Sequence, residues 1–286
     1  MSISIETFFD IDTNLFSYVI FDPATSSAAV IDSILNYDQY SGRTNTTSAD
    51  EIIAYINSKK LKLEWILETH IHADHLTAAH YIKEKIGGKT AIGSQITKVL
   101  KYWVPLFNTI IDTPLDGSQF DILLDDNQTI KLGSVNVKIL HTPGHTPACI
   151  SYLIEDAVFV GDTLFMPDLG TARTDFPGGS AETLYDSVHK IFDLPDETRI
   201  YICHDYPPAT RKANNVCTVA AQKKQNILIN QKISKAEYVS LRNRRDAGLS
   251  VPKLILPSIQ ANLRLGTFGD RETNGIQYVK IPINQL

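Results

Sequence analysis

The sequence predicts an α/β fold in which two packed β-sheets are flanked by helices. Two β-rich blocks follow one another along the chain, and each is accompanied by segments of helical periodicity. Four polar clusters each stand directly behind an apolar run of strand character, as strands of one sheet would deliver them to a common edge. A chain of 286 residues with 43% hydrophobic and 21% charged side chains is long and apolar enough to bury a sizeable core.

The first block opens with the strands SYVIFDP and SAAVIDS, read as a hairpin turning at Pro23-Ala24-Thr25-Ser26, and continues with LEWILETH. Between them, NYDQYSGRTNTTSA (Asn36 to Ala49) is polar and rich in turn formers and reads as an inserted loop. Ser48 or Asp50 is expected to cap the following helix, EIIAYINSKK, whose Ile52, Ile53 and Ile56 share a face. LTAAHYIKEKIGG reads as a helix stopped by Gly87 and Gly88. The second block contains QTIKLGSVNVKILH, CISYLIEDAVFVGD and TRIYICHD. Its helix, SAETLYDSVHKIFDLP, sets Leu184, Val188, Ile191 and Phe192 on one face. The alternation in GIQYVKIPI predicts a closing edge strand ending at Pro282.

The chemistry concentrates where strands end. In THIHADH, His70, His72, Asp74 and His75 fall within six positions, too many costly ionisable groups for an ordinary connection. An H-x-H pair in an extended turn directs two imidazoles at one ion, and Asp74 and His75 reach a neighbouring ion. Imidazole with carboxylate suits zinc, iron or manganese. In HTPGHT the tight turn at Pro143-Gly144 presents His145, while His141, closing the preceding strand, is the weaker candidate. Asp162 after Gly161 and His204 before Asp205-Tyr206 complete the set. His80 and His189 sit on helices as core or surface residues. Cys149 reads as a small buried hydrophobe, and Cys203 stands beside a candidate ligand.

Composition excludes other classes. A net charge of -5 opposes a general nucleic-acid binder, and the basic run LRNRRDAG (Arg242 to Arg245) reads as a solvated helix face. No apolar run approaches the ~18 residues of a membrane span. No basic, apolar leader is seen at the N-terminus, and three widely spaced cysteines make no disulfide framework, so a cytoplasmic protein is expected.

THIHADH, HTPGHT, VGDTL and HDY, in that order, resemble the metallo-β-lactamase superfamily. The resemblance implies an αββα sandwich of two mixed β-sheets flanked by helices, with a catalytic domain over residues 1–215 and an extension, 216–286, packed on it. It also implies one metal site of His70, His72 and His145, a second of Asp74, His75 and His204, and Asp162 shared between them. GTARTDFPGG is similar to persulfide dioxygenases (sulfur dioxygenases). NYDQYSGRTNTTSAD, LFMPDLGTARTDFPGG and LPSIQANLRLG are similar to the β-lactamase-hydrolase-like branch, related to glyoxalase II. Pro147-Ala148 departs from the glycine many relatives carry there. The resemblance implies an iron(II) enzyme, one ion per chain on His70, His145 and Asp162, with zinc as an alternative or adventitious metal. Its substrates would be O2 and a small persulfide such as glutathione persulfide, and its products sulfite and thiol. His72, Asp74, His75 and His204 would then orient ligands or move protons, Arg173 would pair with a substrate carboxylate, and Tyr206 would hydrogen-bond substrate near the metal. The other reading is a binuclear thioester hydrolase of the glyoxalase II kind. Neither reading calls for a membrane or nucleic-acid partner, and a homodimer is left open.

Overall fold

The computed structural model describes residues 3–285. In chain order its elements are β1 (Ser4–Asp10), β2 (Leu15–Asp22), β3 (Ser27–Ile31), β4 (Asn36–Asp38), β5 (Arg43–Asn45), α1 (Thr47–Ser58), β6 (Lys62–Leu67), α2 (Ala79–Ile86), β7 (Lys89–Gly93), α3 (Ile96–Phe107) and β8 (Ile122–Leu124). The second half supplies β9 (Thr129–Leu132), β10 (Val135–His141), β11 (Ile150–Ile154), β12 (Ala157–Phe159), α4 (Ala181–Phe192), β13 (Arg199–Tyr201), β14 (Val216–Thr218), α5 (Val219–Gln225), α6 (Lys235–Asp246) and α7 (Ile255–Asn262).

One sheet runs β1-β2-β3-β6-β7-β8 and the other β14-β13-β12-β11-β10-β9. Both are mixed. In the first, β3, β6, β7 and β8 run parallel behind an antiparallel β1-β2-β3 meander. In the second, only β12 and β13 pair in parallel. Successive residues of the central strands face opposite layers. Ile20, Ile31 and Leu67 meet Ile139, Tyr152 and Phe159 between the sheets. Their neighbours Val19, Val30 and Ile66 face outward to α1, α2, α3 and α7. Helices α4 and α6 cover the outer face of the second sheet through Leu184, Val188, Ile191 and Tyr238. Strands buried on both faces must be apolar at nearly every position, which is why they read as unbroken hydrophobic runs.

The structure departs from the sequence expectations at several places. The polar stretch 36–49 is not merely a loop, because β4 and β5 pair across it as a short antiparallel hairpin. α1 starts at Thr47 after Thr46, so neither Ser48 nor Asp50 is its cap. Ser48 is held by Asn36 and Asp50 by Thr46 and Tyr81, partners brought together only in the fold. α2 starts at Ala79 rather than Leu76, since the backbone of Leu76 and Thr77 bonds to Leu35 and Asn262. α3 stands where the sequence raises no expectation of a helix. The expected strand GIQYVKIPI is irregular, and the amide of Gln260 takes both backbone groups of Lys280 in place of a strand partner.

Two glycines fix the approach of chain to chain where the strands end. Gly161 has φ +51°, and a Cβ there would lie 2.5 Å from the Thr69 hydroxyl. Gly144 has φ +140°, and a Cβ would lie 2.4 Å from Cα of Leu184, so α4 packs directly on the turn that carries His145. Gly144→Ala is expected to destabilise the fold by about 1–3 kcal/mol, the usual cost of forced overpacking, measured by denaturant unfolding of the metal-free protein. An unchanged unfolding midpoint would show that α4 yields freely.

Candidate metal centre

The ends of five strands converge at one edge of the sandwich. β3 delivers Asp32, β6 leads into Thr69-His70, β10 into the turn bearing His145, β12 into Gly161-Asp162 and β13 into Cys203-His204. His70, His72, His75, His145, Asp162 and His204 are all buried, and Asp74 is partly so. Burying so many polar groups is costly unless their lone pairs are used. Yet Nε2 of His70, Nδ1 of His72, both ring nitrogens of His75 and His204, and Oδ1 of Asp162 have no hydrogen-bond partner among the described residues. Such unpaired atoms facing one another are what a metal centre requires, so the residues present fit a bound cation.

The ring orientations follow from the surrounding hydrogen bonds. The Thr69 hydroxyl donates to Asp32 Oδ2 at 2.9 Å, so its oxygen accepts from His70 Nδ1, also at 2.9 Å, leaving Nε2 for a ligand bond. His145 Nδ1 donates to the Arg173 carbonyl at 2.8 Å, again freeing Nε2. His72 is held the other way round, with Nε2 on Asp32 at 3.1 Å and near Glu68 at 3.5 Å, so Nδ1 is free. A carboxylate or carbonyl behind each imidazole fixes its tautomer and aim.

The expected ligands fall into two groups, while two further clusters set Cys203 with Asp32 and His72 and with Asp162 and His204. His70, His145 and Asp162 present donor atoms within 4.8 Å of one another, as do His72, Asp74, His75 and His204. Asp162 Oδ2 lies 3.8 Å from His70 Nε2 and 3.7 Å from His145 Nε2. These lengths are close to the ~3–3.5 Å edge set by two ligands about 2.1 Å from one ion. Asp162 Oδ1 is turned to His204 at 3.9 Å, which links the groups. His72 therefore falls beside Asp74, His75 and His204, although the resemblance assigns it with His70 and His145. The hold of Asp32 and Glu68 on its Nε2 decides which way its other nitrogen looks.

Burial is the largest influence on most of these groups. It pushes His70 well below its ordinary value, with the neighbouring imidazoles adding to it, and lowers His75 to about 4. It raises Asp162. For His72 burial is outweighed by Asp32 and Glu68, which raise it to about 10. Asp74 lies well below the carboxylate range because His204 and His75 overcome its desolvation.

Several expected roles change. The guanidinium of Arg173 is not free for a substrate, since Nε and Nη2 fork onto Asp175 at 2.6 and 2.7 Å and Nη1 donates to Ser250 O. The basic run is not simply a solvated face. Arg242 is buried, pairs with buried Asp246 at 2.6 Å and donates to Thr171 O. Asp246 in turn accepts from the backbone and hydroxyl of Thr174, so the pair clamps the segment whose Arg173 carbonyl orients His145. Tyr206 donates to Asp74 Oδ2 at 3.1 Å. His141 points away to Leu124 O, and His80 pairs with Glu84 on α2. His189 stacks on Tyr185 within α4. Burial pushes the Cys149 thiol up to about 12.

Asp32, Glu68 and Asn262 were missed. Asp32 had a signal, since SAAVIDS ends an apolar run in an acid just as the other clusters do. Asn262 had none. From α7 its amide donates to the carbonyls of His72 and His75 at 2.9 and 2.8 Å and accepts from Thr77 N.

The sequence pattern described as the Metallo-beta-lactamase superfamily matches residues 17–204, spanning all of these ligands. The chain belongs to the metallo-β-lactamase superfamily. Within the superfamily, a Dictyostelium discoideum protein named Glyoxylase B2 is 50% identical over 284 residues, covering 99% of this chain and 97% of its own length. Human mitochondrial Persulfide dioxygenase ETHE1 is 30% identical over 254 residues, 88% of this chain and 84% of that protein. The crystal structure of ETHE1 from Myxococcus xanthus superposes with a TM-score of 0.74 at 29% identity, covering 92% of this chain and 100% of that one.

Two substitutions test how the centre is held. Asp32→Ala removes the carboxylate behind His72 and Thr69, and is expected to cost about 3–5 kcal/mol of stability, as breaking a buried pair does. Asn262→Ala is expected to fold but to lower metal affinity by about 10–100-fold, read by chelator competition at equal folded fraction. Unaltered affinity would show that the THIHADH loop holds its shape without α7.

Proposed function

We propose that this metallo-β-lactamase-superfamily protein is an iron-dependent persulfide dioxygenase, oxidising glutathione persulfide or a similar small persulfide with O2 to sulfite and thiol. The observation that carries this reading is the buried group of two histidines and one carboxylate, His70, His145 and Asp162. His145 and Asp162 of this group line a cavity of about 580 Å³. Iron(II) held by these residues would supply open positions for a sulfur anion and for O2. The similarity to persulfide dioxygenases supports the reaction class. The balance is RSS⁻ + O2 + H2O giving RSH and HSO3⁻, in which the outer sulfur loses the electrons that O2 takes up.

The chain's own residues prepare the site for that chemistry. Thr69 and the Arg173 carbonyl aim His70 and His145, so little reorganisation is needed when ligands bind. Phe165 and Phe176 wall the cavity and limit water near the reacting sulfur. Asp74, kept ionised by His204 and His75, holds the Tyr206 hydroxyl at the same cavity. Desolvation and then Asp74 raise Tyr206 well above the usual phenol value, so it keeps its proton, which it donates to Asp74 beside the cavity.

A binuclear thioester hydrolase is the second reading. It is favoured by the additional ligand group His72, Asp74, His75 and His204 and by the relative named Glyoxylase B2. Asp162, whose carboxylate faces both groups, would help hold a pair of metal ions, which would supply a water-derived nucleophile for a thioester carbonyl.

Metal analysis and substitution separate the two. Protein purified without oxygen is expected to hold about one iron per chain and to consume O2 with glutathione persulfide, while leaving a glutathione thioester intact. Two tightly held zinc ions with thioester hydrolysis would overturn the dioxygenase reading. His204→Ala is expected to keep its iron and measurable O2 uptake with a loss of about 10–100-fold, whereas His145→Ala and Asp162→Ala lose both. Loss of metal from His204→Ala as complete as from His145→Ala would favour the binuclear site.

A further inference from the structure

Four cationic side chains line the cavity that leads to His145 and Asp162: Arg173, Arg242, Arg245 and Lys253. Two are already neutralised, Arg173 by Asp175 and Arg242 by Asp246. Arg245 lies on α6 one residue before Asp246, with its side chain exposed at the cavity and in no ion pair or hydrogen bond among the described residues. Lys253 is likewise exposed and has no anionic partner among the described residues, its ammonium resting 5.6 Å from the centre of the Tyr40 ring. The rest of the lining is largely apolar, with Phe165, Leu169, Phe176 and Leu249. A second cavity, of about 560 Å³, meets the first at Asp74, Tyr206 and Lys253 but carries Asp10, Asp12 and Asp38. Its field repels an anion that the first attracts.

We infer that Arg245 and Lys253, not Arg173, recognise the carboxylates of the substrate's carrier, a small thiol-type molecule whose anionic end lies remote from the reacting sulfur. The inference rests on the persulfide reading for the identity of the reacting sulfur, but the anion site stands on the cavity itself. The shape fits such a molecule. The sulfur end reaches the buried ligands past the apolar wall, while the charged end stays where water and two unpaired cations meet it. A guanidinium matches a carboxylate with paired N–H donors, and an ammonium adds a mobile point charge. Because both cations are exposed, each contributes modestly and is screened by salt. Arg173 becomes a positioning residue, its carbonyl aiming His145 while Asp175 holds its side chain.

Calorimetric titration of the metal-loaded protein with glutathione and with glutathione dimethyl ester, which lacks both negative charges, tests this without turnover. The ester is expected to bind the wild-type protein about tenfold more weakly. The double variant Arg245→Gln, Lys253→Gln should bind glutathione about as weakly as the wild type binds the ester, with the ester unaffected and the salt dependence flattened. Arg244→Gln, a neighbouring cation outside the cavity lining, serves as the charge control and should leave glutathione affinity unchanged. In oxygen-uptake assays the double variant should raise KM with kcat within about twofold. Equal affinity of wild type and double variant for glutathione, equal binding of glutathione and its ester, or no binding of glutathione by the wild type would each overturn the assignment. Absence of oxygen uptake with the binding pattern intact would remove the dioxygenase reading and leave the anion site standing.

Discussion

The site depends on one buried carboxylate, Asp32. It stands just past β3 at φ +50°, a backbone conformation few side chains other than glycine adopt readily. From there it accepts from Thr69 N, the Thr69 hydroxyl, His72 Nε2 and, at 3.6 Å, the Cys203 thiol. One side chain thereby ties the ends of β3, β6 and β13, and through Thr69 it sets the tautomer of His70. Desolvation opposes a charge there, and His72 and Thr69 outweigh it, keeping Asp32 below its ordinary value. A group lowered in this way stabilises the fold above its unfolded pKa and loses that contribution as pH falls through the folded one. The tie that Asp32 makes between the strand ends is thus lost in acid, where His75, lowered to about 4, also gains its proton.

Around this anchor the rest of the chain acts as scaffolding. The Arg242–Asp246 pair on α6 reaches back to Thr171 and Thr174, and the carbonyl between them orients His145. Asn262 on α7 holds the carbonyls of His72 and His75. Arg211, beyond β13, forks onto Asp168 and buried Asp205, fastening the segment that carries His204 and Tyr206. The C-terminal helices therefore do more than cover a sheet, because they supply the groups that keep ligand-bearing loops from relaxing once their polar atoms are buried.

The cavity shows how charge and apolarity divide the work. Its lining combines the candidate ligands Asp74, His145 and Asp162, the exposed Tyr206–Asp74 contact, an apolar wall and exposed basic side chains. The neighbouring acidic cavity makes the direction of approach unequal for anions. Asp74 and Tyr206 lie where the two meet, so a change in either alters both the electrostatics of the second ligand group and the boundary between the spaces.

Sequence alone determined the two-sheet architecture, the central strands and the His/Asp cluster that the fold gathers at one edge. Their signals are local: strands buried on both faces must be apolar throughout, and clusters such as THIHADH and HTPGH cost too much to occur without a use for their lone pairs. What only the tertiary structure decided involves pairs distant along the chain. Arg173 looked available for a substrate, but Asp175, presented in the right rotamer by the fold, occupies its fork. GIQYVKIPI has the alternation of a strand, but strand formation needs a free edge, and Gln260 satisfies the backbone of Lys280 instead. Asn262 carries no local mark, because its role exists only once α7 lies across the THIHADH loop. The side on which His72 falls was equally out of reach, since its direction is set by Asp32 and Glu68, which the chain brings to it from β3 and the end of β6.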